Sequence, residues 1–125
     1  MSHDEVKDLP GPVADAVEVW RRAQVLDESP SWRGKPEGSA ACESLAQHKE
    51  YEAAISSLLQ HSSQLVVAYA IRTLHLMKSP ILRSLPGQIL QRREKVTVHS
   101  GSFRTGSDLG GYARHIQKIA NEKAT

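Results

Sequence analysis

Residues 63–78, SQLVVAYAIRTLHLMK, decide how the rest of the chain is organised. Their apolar side chains cover nearly every direction of a helical wheel and leave one narrow polar face. The apolar run Leu65–Ile71 would also suit a buried strand, but the apolar pattern continues to Met77 and is longer than most strands. The stretch therefore predicts a helix that is covered on several sides, with its cap near Ser63 and its end at Ser79.

The segments before this helix predict two further helical regions separated by a loop. Pro12 to Leu26 has an apolar face that includes Trp20, which we interpret as a core anchor. Residues 27–39 are rich in Pro, Gly and Ser and predict a long loop, whereas residues 1–9 predict a disordered tail. Residues 40–60 are helical by composition, either as one helix or as two parted near 47–49.

The segments after it change character twice. Ser79 and Pro80 predict a new helical start, and Pro86 predicts a kink or two short helical pieces. Alternation from Lys95 to His99 predicts a strand with one exposed face. The last helix is expected to begin near Ser107, whose side chain would cap it.

A hairpin follows from that alternation. If Ser100 and Gly101 form a two-residue turn, Val98 lies opposite Phe103 and Thr97 lies opposite Arg104. Apolar residues then pair with apolar ones and polar residues with polar ones. The predicted fold class is mostly α, a bundle of about five helices with one short β-hairpin before the C-terminal helix.

Length and composition bound the remaining possibilities. The chain has 125 residues, which predicts a single domain, residues 1–125. The acidic start is unlike a signal peptide, and no apolar run approaches the roughly twenty residues that span a bilayer, so we expect no membrane contact. Cys42 is the single cysteine, which excludes an intramolecular disulfide and favours a reducing, cytoplasmic location.

Metal and catalytic motifs are not found in the sequence. The six histidines are scattered without helical ligand spacing, so no metal and no cofactor are predicted. Cys42 is interpreted as a small core residue rather than a nucleophile. We therefore expect no catalytic residues and no enzyme activity.

Charge is distributed unevenly along the chain. Residues 1–63 hold six Lys and Arg against eleven Asp and Glu, whereas residues 64–125 hold ten against three. A basic C-terminal half could attract an acidic partner or simply attract the other half of the same fold. The candidate partner-binding residues combine this surface with the aromatic and basic pair in the long loop: Trp32, Arg33, Arg92, Arg93, Lys95, Arg104, Arg114 and Lys118.

The segment YEAAISSLLQHSSQLVVAYAIRTLHLMKSP, Tyr51 to Pro80, resembles one HEAT-like unit, in which two helices are joined by a tight turn. The chain is also similar to small bacterial HEAT-like proteins, some of which look like immunity or adaptor proteins. This resemblance implies a HEAT-like α-α superhelical bundle that binds partners and carries no chemistry.

The leading functional hypothesis is a non-catalytic protein-protein interaction module of adaptor or immunity type. It would bind an acidic protein through the basic C-terminal surface, the Trp32 loop, or both. The alternative is a nucleic-acid-binding protein that uses the same basic surface to contact phosphates.

Overall fold

The computed structural model describes residues 9–23, 25–27, 37–100 and 103–123. The helices are α1 (Gly11–Arg22), α2 (Glu37–Ala46), α3 (Glu52–Ser57), α4 (Gln64–Leu76), α5 (Gly87–Leu90) and α6 (Leu109–Lys123). Short 3₁₀ helices lie at Lys49–Tyr51, Leu58–Gln60 and Pro80–Ser84. The strands are β1 (Leu26–Asp27), β2 (Lys95–Ser100) and β3 (Phe103–Asp108). The mostly helical fold with a hairpin before the C-terminal helix is confirmed. The predicted tail and most of the 27–39 loop lie outside the described residues, and the described ends of that loop are instead part of β1 (Asp27) and of α2 (residues 37–39).

Helix α4 is the centre of the molecule, as its sequence predicted. The Ser63 hydroxyl accepts a hydrogen bond from the Val66 amide at 3.4 Å and so caps the helix start. Every residue from Leu65 to Ile71 is buried, and α1, α2, α3, α6 and β2 all pack against the helix. A helix that is apolar on nearly all sides needs such a surround, because each uncovered face would leave apolar area in water.

The end of α4 is closed by backbone hydrogen bonds. The Ser79 amide donates to the Leu74 carbonyl and the Lys78 amide donates to the His75 carbonyl, each at 3.0 Å. This is a Schellman motif, whose residue after the cap adopts a left-handed conformation. Here that residue is Lys78, with φ of 58° in place of the glycine that usually occupies the position. Ser79 then caps the next turn, since its hydroxyl accepts from the Ile81 amide at 3.3 Å.

An aromatic pair joins α1 and α2 to α4. The rings of Trp20 and Tyr69 are stacked, with centroids 5.7 Å apart and an interplanar angle of 7°. Trp20 donates its indole N–H to the Gly38 carbonyl at 3.1 Å, and the Tyr69 hydroxyl donates to the Val25 carbonyl at 2.7 Å. Trp20 is fully buried, so its interpretation as a core anchor is confirmed.

The first helix is shorter than predicted. It ends at Arg22, and Leu26 and Asp27 instead form β1, which pairs in parallel with Val98 and His99 of β2. Leu26 is completely buried, which explains why the helical apolar pattern extends to it. A two-residue strand has no local periodicity, so only its distant partner determines its structure.

The hairpin register differs from the predicted one. Ser100 pairs with Phe103 and Val98 pairs with Thr105, so the two connecting residues are 101 and 102 rather than 100 and 101. A slip of two residues keeps every side chain on the same face of a sheet, and alternation alone therefore cannot distinguish the two registers. The observed pairing continues to Lys95 and Asp108, which gives the hairpin its full length.

Two other boundaries follow the sequence. The 40–60 region is divided, with α2 ending at Ala46 and a 3₁₀ helix leading into α3, and His48 is exposed between them. Pro86 separates the 3₁₀ helix Pro80–Ser84 from α5, as its missing amide predicts. Within the described ranges, no helix combines the length and apolar character of a membrane span.

Candidate functional site

The start of α6 is held by backbone carbonyls from the segment between α5 and β2. The Leu109 amide donates to the Glu94 carbonyl at 2.9 Å, and the Gly110 amide donates to the Arg92 carbonyl at 2.7 Å. A Cβ at Gly110 would lie against the Leu90 carbonyl and within 2.8 Å of the Arg92 carbonyl oxygen, so only glycine fits without a shift. The backbone of α6 therefore approaches the α5 end closely at Gly110.

The helix cap is Asp108 and not Ser107 as predicted. The Asp108 carboxylate accepts a hydrogen bond from the Gly111 amide at 2.6 Å, whereas Ser107 and Asp108 both belong to the end of β3. The strand runs one residue into the expected helix because Lys95 pairs with Asp108. With three of its first amides bonded to carbonyl or carboxylate oxygens, this helix start is an anchoring point within the fold.

Arg92 ties this segment to the turn before α4. Its guanidinium donates to the His61 carbonyl and to the Ser62 carbonyl, each at 2.9 Å. It also pairs with the Glu94 carboxylate, to which Nε donates at 2.7 Å. The Arg92 side chain is only 20% exposed, so its charge is largely used inside the molecule.

Glu94 shows the electrostatic effect of this pair. The hydrogen bond from Arg92 lowers the pKa of the Glu94 carboxyl below its ordinary value, against the smaller opposing effect of burial. Glu94 therefore stays ionised near neutral pH, and its negative charge compensates the positive charge of Arg92.

A basic cleft lies beside this anchor. It has a volume of about 380 Å³ and is lined by Gln91, Arg92, Arg93, Asp108 and Arg114. The chain folds so that α5 and the start of α6 bring three arginines from two separate segments together. We refer to these five residues as the basic cleft.

Arg93 and Arg114 are the exposed cations of the basic cleft. Arg114 donates one guanidinium hydrogen bond to the Leu90 carbonyl, which orients the side chain toward the α5 end of the cleft. A guanidinium presents five donors in a planar fork, which matches the geometry of a carboxylate or a phosphate. The arrangement can therefore bind an anionic group between two exposed arginines.

The remaining predicted site residues are distributed around or away from the cleft. Lys95 is exposed on β2, and Lys118 is exposed one turn after Arg114 on α6. Arg104 is paired through its backbone with His99, and its side chain is not described. Trp32 and Arg33 lie outside the described residues, so their predicted role stays a prediction.

Sequence reasoning missed two members of the cleft. Neither Asp108 nor Gln91 is among the residues predicted to bind a partner. A signal for Asp108 is present in the sequence, because it lies at the end of the predicted hairpin. When β2 and β3 pair, Asp108 comes next to the segment that contains Arg92. Without the correct register, that proximity was not visible.

Cys42 has the environment of a core thiol. Burial raises the pKa of the Cys42 thiol to about 12, and its sulfur lies 3.6 Å from the Tyr69 carbonyl oxygen. Thr73 also donates to that carbonyl, at 2.8 Å. A thiol with this pKa is almost entirely protonated at neutral pH, so it is a poor nucleophile and a poor metal ligand.

The described residues contain no group of three or more His, Cys, Asp or Glu side chains placed to hold a metal ion. Comparison with models of protein families, with curated proteins and with solved structures gives no match to this chain.

Proposed function

We propose that this chain is a non-catalytic interaction module that binds an acidic segment of a partner protein in the basic cleft. The observation that carries the proposal is the convergence of Arg93 and Arg114, from two separate segments, on one concave site with exposed guanidinium groups. Lys95 and Lys118 extend the same positive surface. Arg92 supports the site from within, because its guanidinium is committed to His61, Ser62 and Glu94.

The composition of the cleft favours a protein over nucleic acid. Asp108 lines the cleft and repels a continuous row of phosphates, whereas a polypeptide can place carboxylates beside the arginines and a donor beside Asp108. The described residues that line the cleft include no aromatic side chain on which a base could stack. Nucleic-acid binding through the same surface is accordingly the second candidate.

Four further features agree with the proposal. The high pKa of Cys42 supports a non-catalytic role for the thiol. A free cysteine is compatible with the reducing cytoplasm, where we place the module. The resemblance of residues 51–80 to a HEAT-like unit belongs to the same hypothesis, since such units bind partners. The Trp32 loop belongs to it as well, since Trp and Arg are frequent in binding hot spots.

The test is a capture experiment with charge variants. Tagged protein is incubated with native lysate, with and without nuclease, and the bound material is identified. The doubly substituted variant Arg93→Glu with Lys118→Glu is compared with Lys49→Gln, which changes an exposed lysine on the 3₁₀ helix before α3. We expect one discrete protein that survives nuclease, is retained by the Lys49 variant and is lost from the double variant.

Two outcomes would overturn the proposal. Material that disappears with nuclease, together with an affinity that falls steeply with salt, would show that nucleic acid is the ligand. A partner that binds the double variant as well as the parent chain would show that the basic cleft is not its binding site.

A further inference from the structure

A second concave site lies at the other end of α6. It is a groove of about 340 Å³ between the end of α4, the 3₁₀ helix Pro80–Ser84 and the last turns of α6. Lys123 of the groove and Arg114 of the basic cleft are nine positions apart on one helix, or about 14 Å along its axis. The groove and the basic cleft are thus separate sites.

The walls of the groove are fixed by specific contacts. The Leu85 amide donates to the Gln117 side chain at 2.7 Å, which holds the end of the 3₁₀ segment against α6. The Asn121 side chain donates to the Arg83 carbonyl at 3.4 Å, one turn further along the same helix. Ser79, which is buried, joins α4 to the 3₁₀ helix through its cap. The cavity is therefore formed before any ligand arrives.

The lining divides into an apolar side and a basic rim. The apolar side consists of Leu76, Leu82 and Ala120, the rim consists of Lys78, Arg83 and Lys123, and His75 and Ser79 complete the lining. All three rim cations are exposed, and no Asp or Glu is among the described residues that line the groove. An apolar body with an anionic head is the ligand chemistry that complements both parts.

Lys78 adds an independent observation. Its φ of 58° is a conformation that costs a lysine free energy and that a glycine would adopt freely. The backbone is held there by the Schellman hydrogen bonds at the end of α4. The chain thus has a cation at the groove in a position where the local backbone favours glycine.

The helix ends reduce the positive charge of the rim without reversing it. Both α4 and α6 end at the groove, and the C-terminal end of a helix carries a partial negative charge of about half a unit. Two such ends offset about one of the three rim charges, so the groove keeps a net positive charge that attracts an anionic head group.

We propose that this groove binds a small amphiphilic carboxylate, with its apolar body on Leu76, Leu82 and Ala120 and its carboxylate on the basic rim. A small molecule fits better than a protein surface because the site is concave and has the volume of a small ligand pocket, for which the usual range is roughly 300–1,000 Å³. The inference does not depend on the function proposed for the basic cleft.

Octanoate is the probe, and the measurement is a backbone amide NMR titration of the full chain. We expect saturable shifts at Leu76, Leu82 and Ala120, with the amides of Arg93 and Gly111 unchanged. The neutral analogue 1-octanol tests the basic rim, and inorganic phosphate tests the apolar side. Both should bind at least about tenfold more weakly than octanoate, because each satisfies only one part of the groove.

Variants separate this site from the basic cleft. Arg83→Gln combined with Lys123→Gln should weaken octanoate about tenfold, and Ala120→Glu should abolish binding by filling the groove with a carboxylate. Lys49→Gln, at an exposed lysine outside both the groove and the basic cleft, should bind like the parent. Arg83 and Lys123 are exposed, so their variant is expected to keep the native spectrum even if Ala120→Glu unfolds.

The proposal is wrong if octanol binds as tightly as octanoate, or if the Arg83 and Lys123 variant retains full affinity. In that case the rim cations serve only to complement the helix ends. Octanoate shifts centred on Arg93 and Arg114, or no shifts at all, would equally overturn it. Since the capture experiment uses none of the groove residues, either proposal can fail without the other.

Discussion

The region around α4 and the start of α6 are held together by different interactions. Around α4 the contacts are apolar, with Ile71 fully buried and Trp20 stacked on Tyr69. At the start of α6 the contacts are polar, from backbone amides to the Glu94 and Arg92 carbonyls and from Arg92 to the turn before α4. The first region tolerates no charge, and the second depends on an exact fit of backbone groups. The proposed binding surface lies on the second.

The largest expected effect is in the apolar region. Ile71→Asp places an unpaired carboxylate where no solvent reaches, and we expect a loss of more than about 4 kcal/mol in the free energy of unfolding. Urea denaturation measures it, with Ile71→Val as a control that should cost about 1 kcal/mol. An Ile71→Asp variant that unfolds at the parent's urea concentration would show that α4 is not the centre of the fold.

The next effect tests the backbone fit at the start of α6. Gly110→Ala forces a methyl group against the Leu90 and Arg92 carbonyls, and we expect a loss of about 2–3 kcal/mol in thermal or urea unfolding. Gly87→Ala is the matched control, because a Cβ at Gly87 meets nothing within 4 Å. Equal stability of the two variants would mean that α6 can move away from the α5 end without cost.

A smaller effect separates the internal arginine from the exposed one. Arg92→Gln removes the charged donors to His61 and Ser62, and we expect a loss of about 1–2 kcal/mol in the free energy of unfolding. Arg93→Gln should change stability by less than about 0.5 kcal/mol, since Arg93 is exposed. The same two variants should rank in the opposite order for partner binding, with Arg93→Gln the more harmful among variants that remain folded.

The smallest effect concerns pH. The folded-state pKa of Glu94 lies below its ordinary value, so the stability that its pair with Arg92 contributes is present above about pH 4.5 and is lost as the pH falls through the folded-state pKa. The contribution is less than about 1 kcal/mol because the Glu94 side chain is 40% exposed. Unfolding curves at pH 7 and pH 3 should show Glu94→Gln closer to the parent at pH 3. A constant difference between the two proteins would contradict the assigned cause.

The sequence predicts the apolar region well because periodicity reports burial directly. The run from Leu65 to Met77, the anchor Trp20 and the break at Pro86 each have a local signal that the structure confirms. Strand β1 has none, because two residues acquire their structure from Val98 and His99, far along the chain. The hairpin register fails for a related reason, since a two-residue slip leaves the alternating pattern unchanged.

Three of the five residues that line the basic cleft are among the predicted site residues, but their contacts were not predicted. Arg92, Arg93 and Arg114 were grouped by charge, and the structure places them on one cleft. Charge alone could not show that Arg92 is bonded to the turn before α4, because that turn is distant in sequence. The composition shows that basic residues are concentrated in this part of the chain. Which arginine is internal and which is exposed can be seen only in the tertiary fold.

The parallel pairing of β1 with β2 has a consequence for how the chain reaches this structure. It joins residue 26 to residue 98, so the ladder closes a loop that contains most of the helices. Closing so long a loop has an entropic cost larger than the stabilisation from two residue pairs. This contact is expected to form only after the neighbouring helices have packed against α4. We therefore expect β1 to dock late in refolding, as the step that covers β2 at Val98 and His99 and makes β1 and β3 the two edge strands of the described sheet.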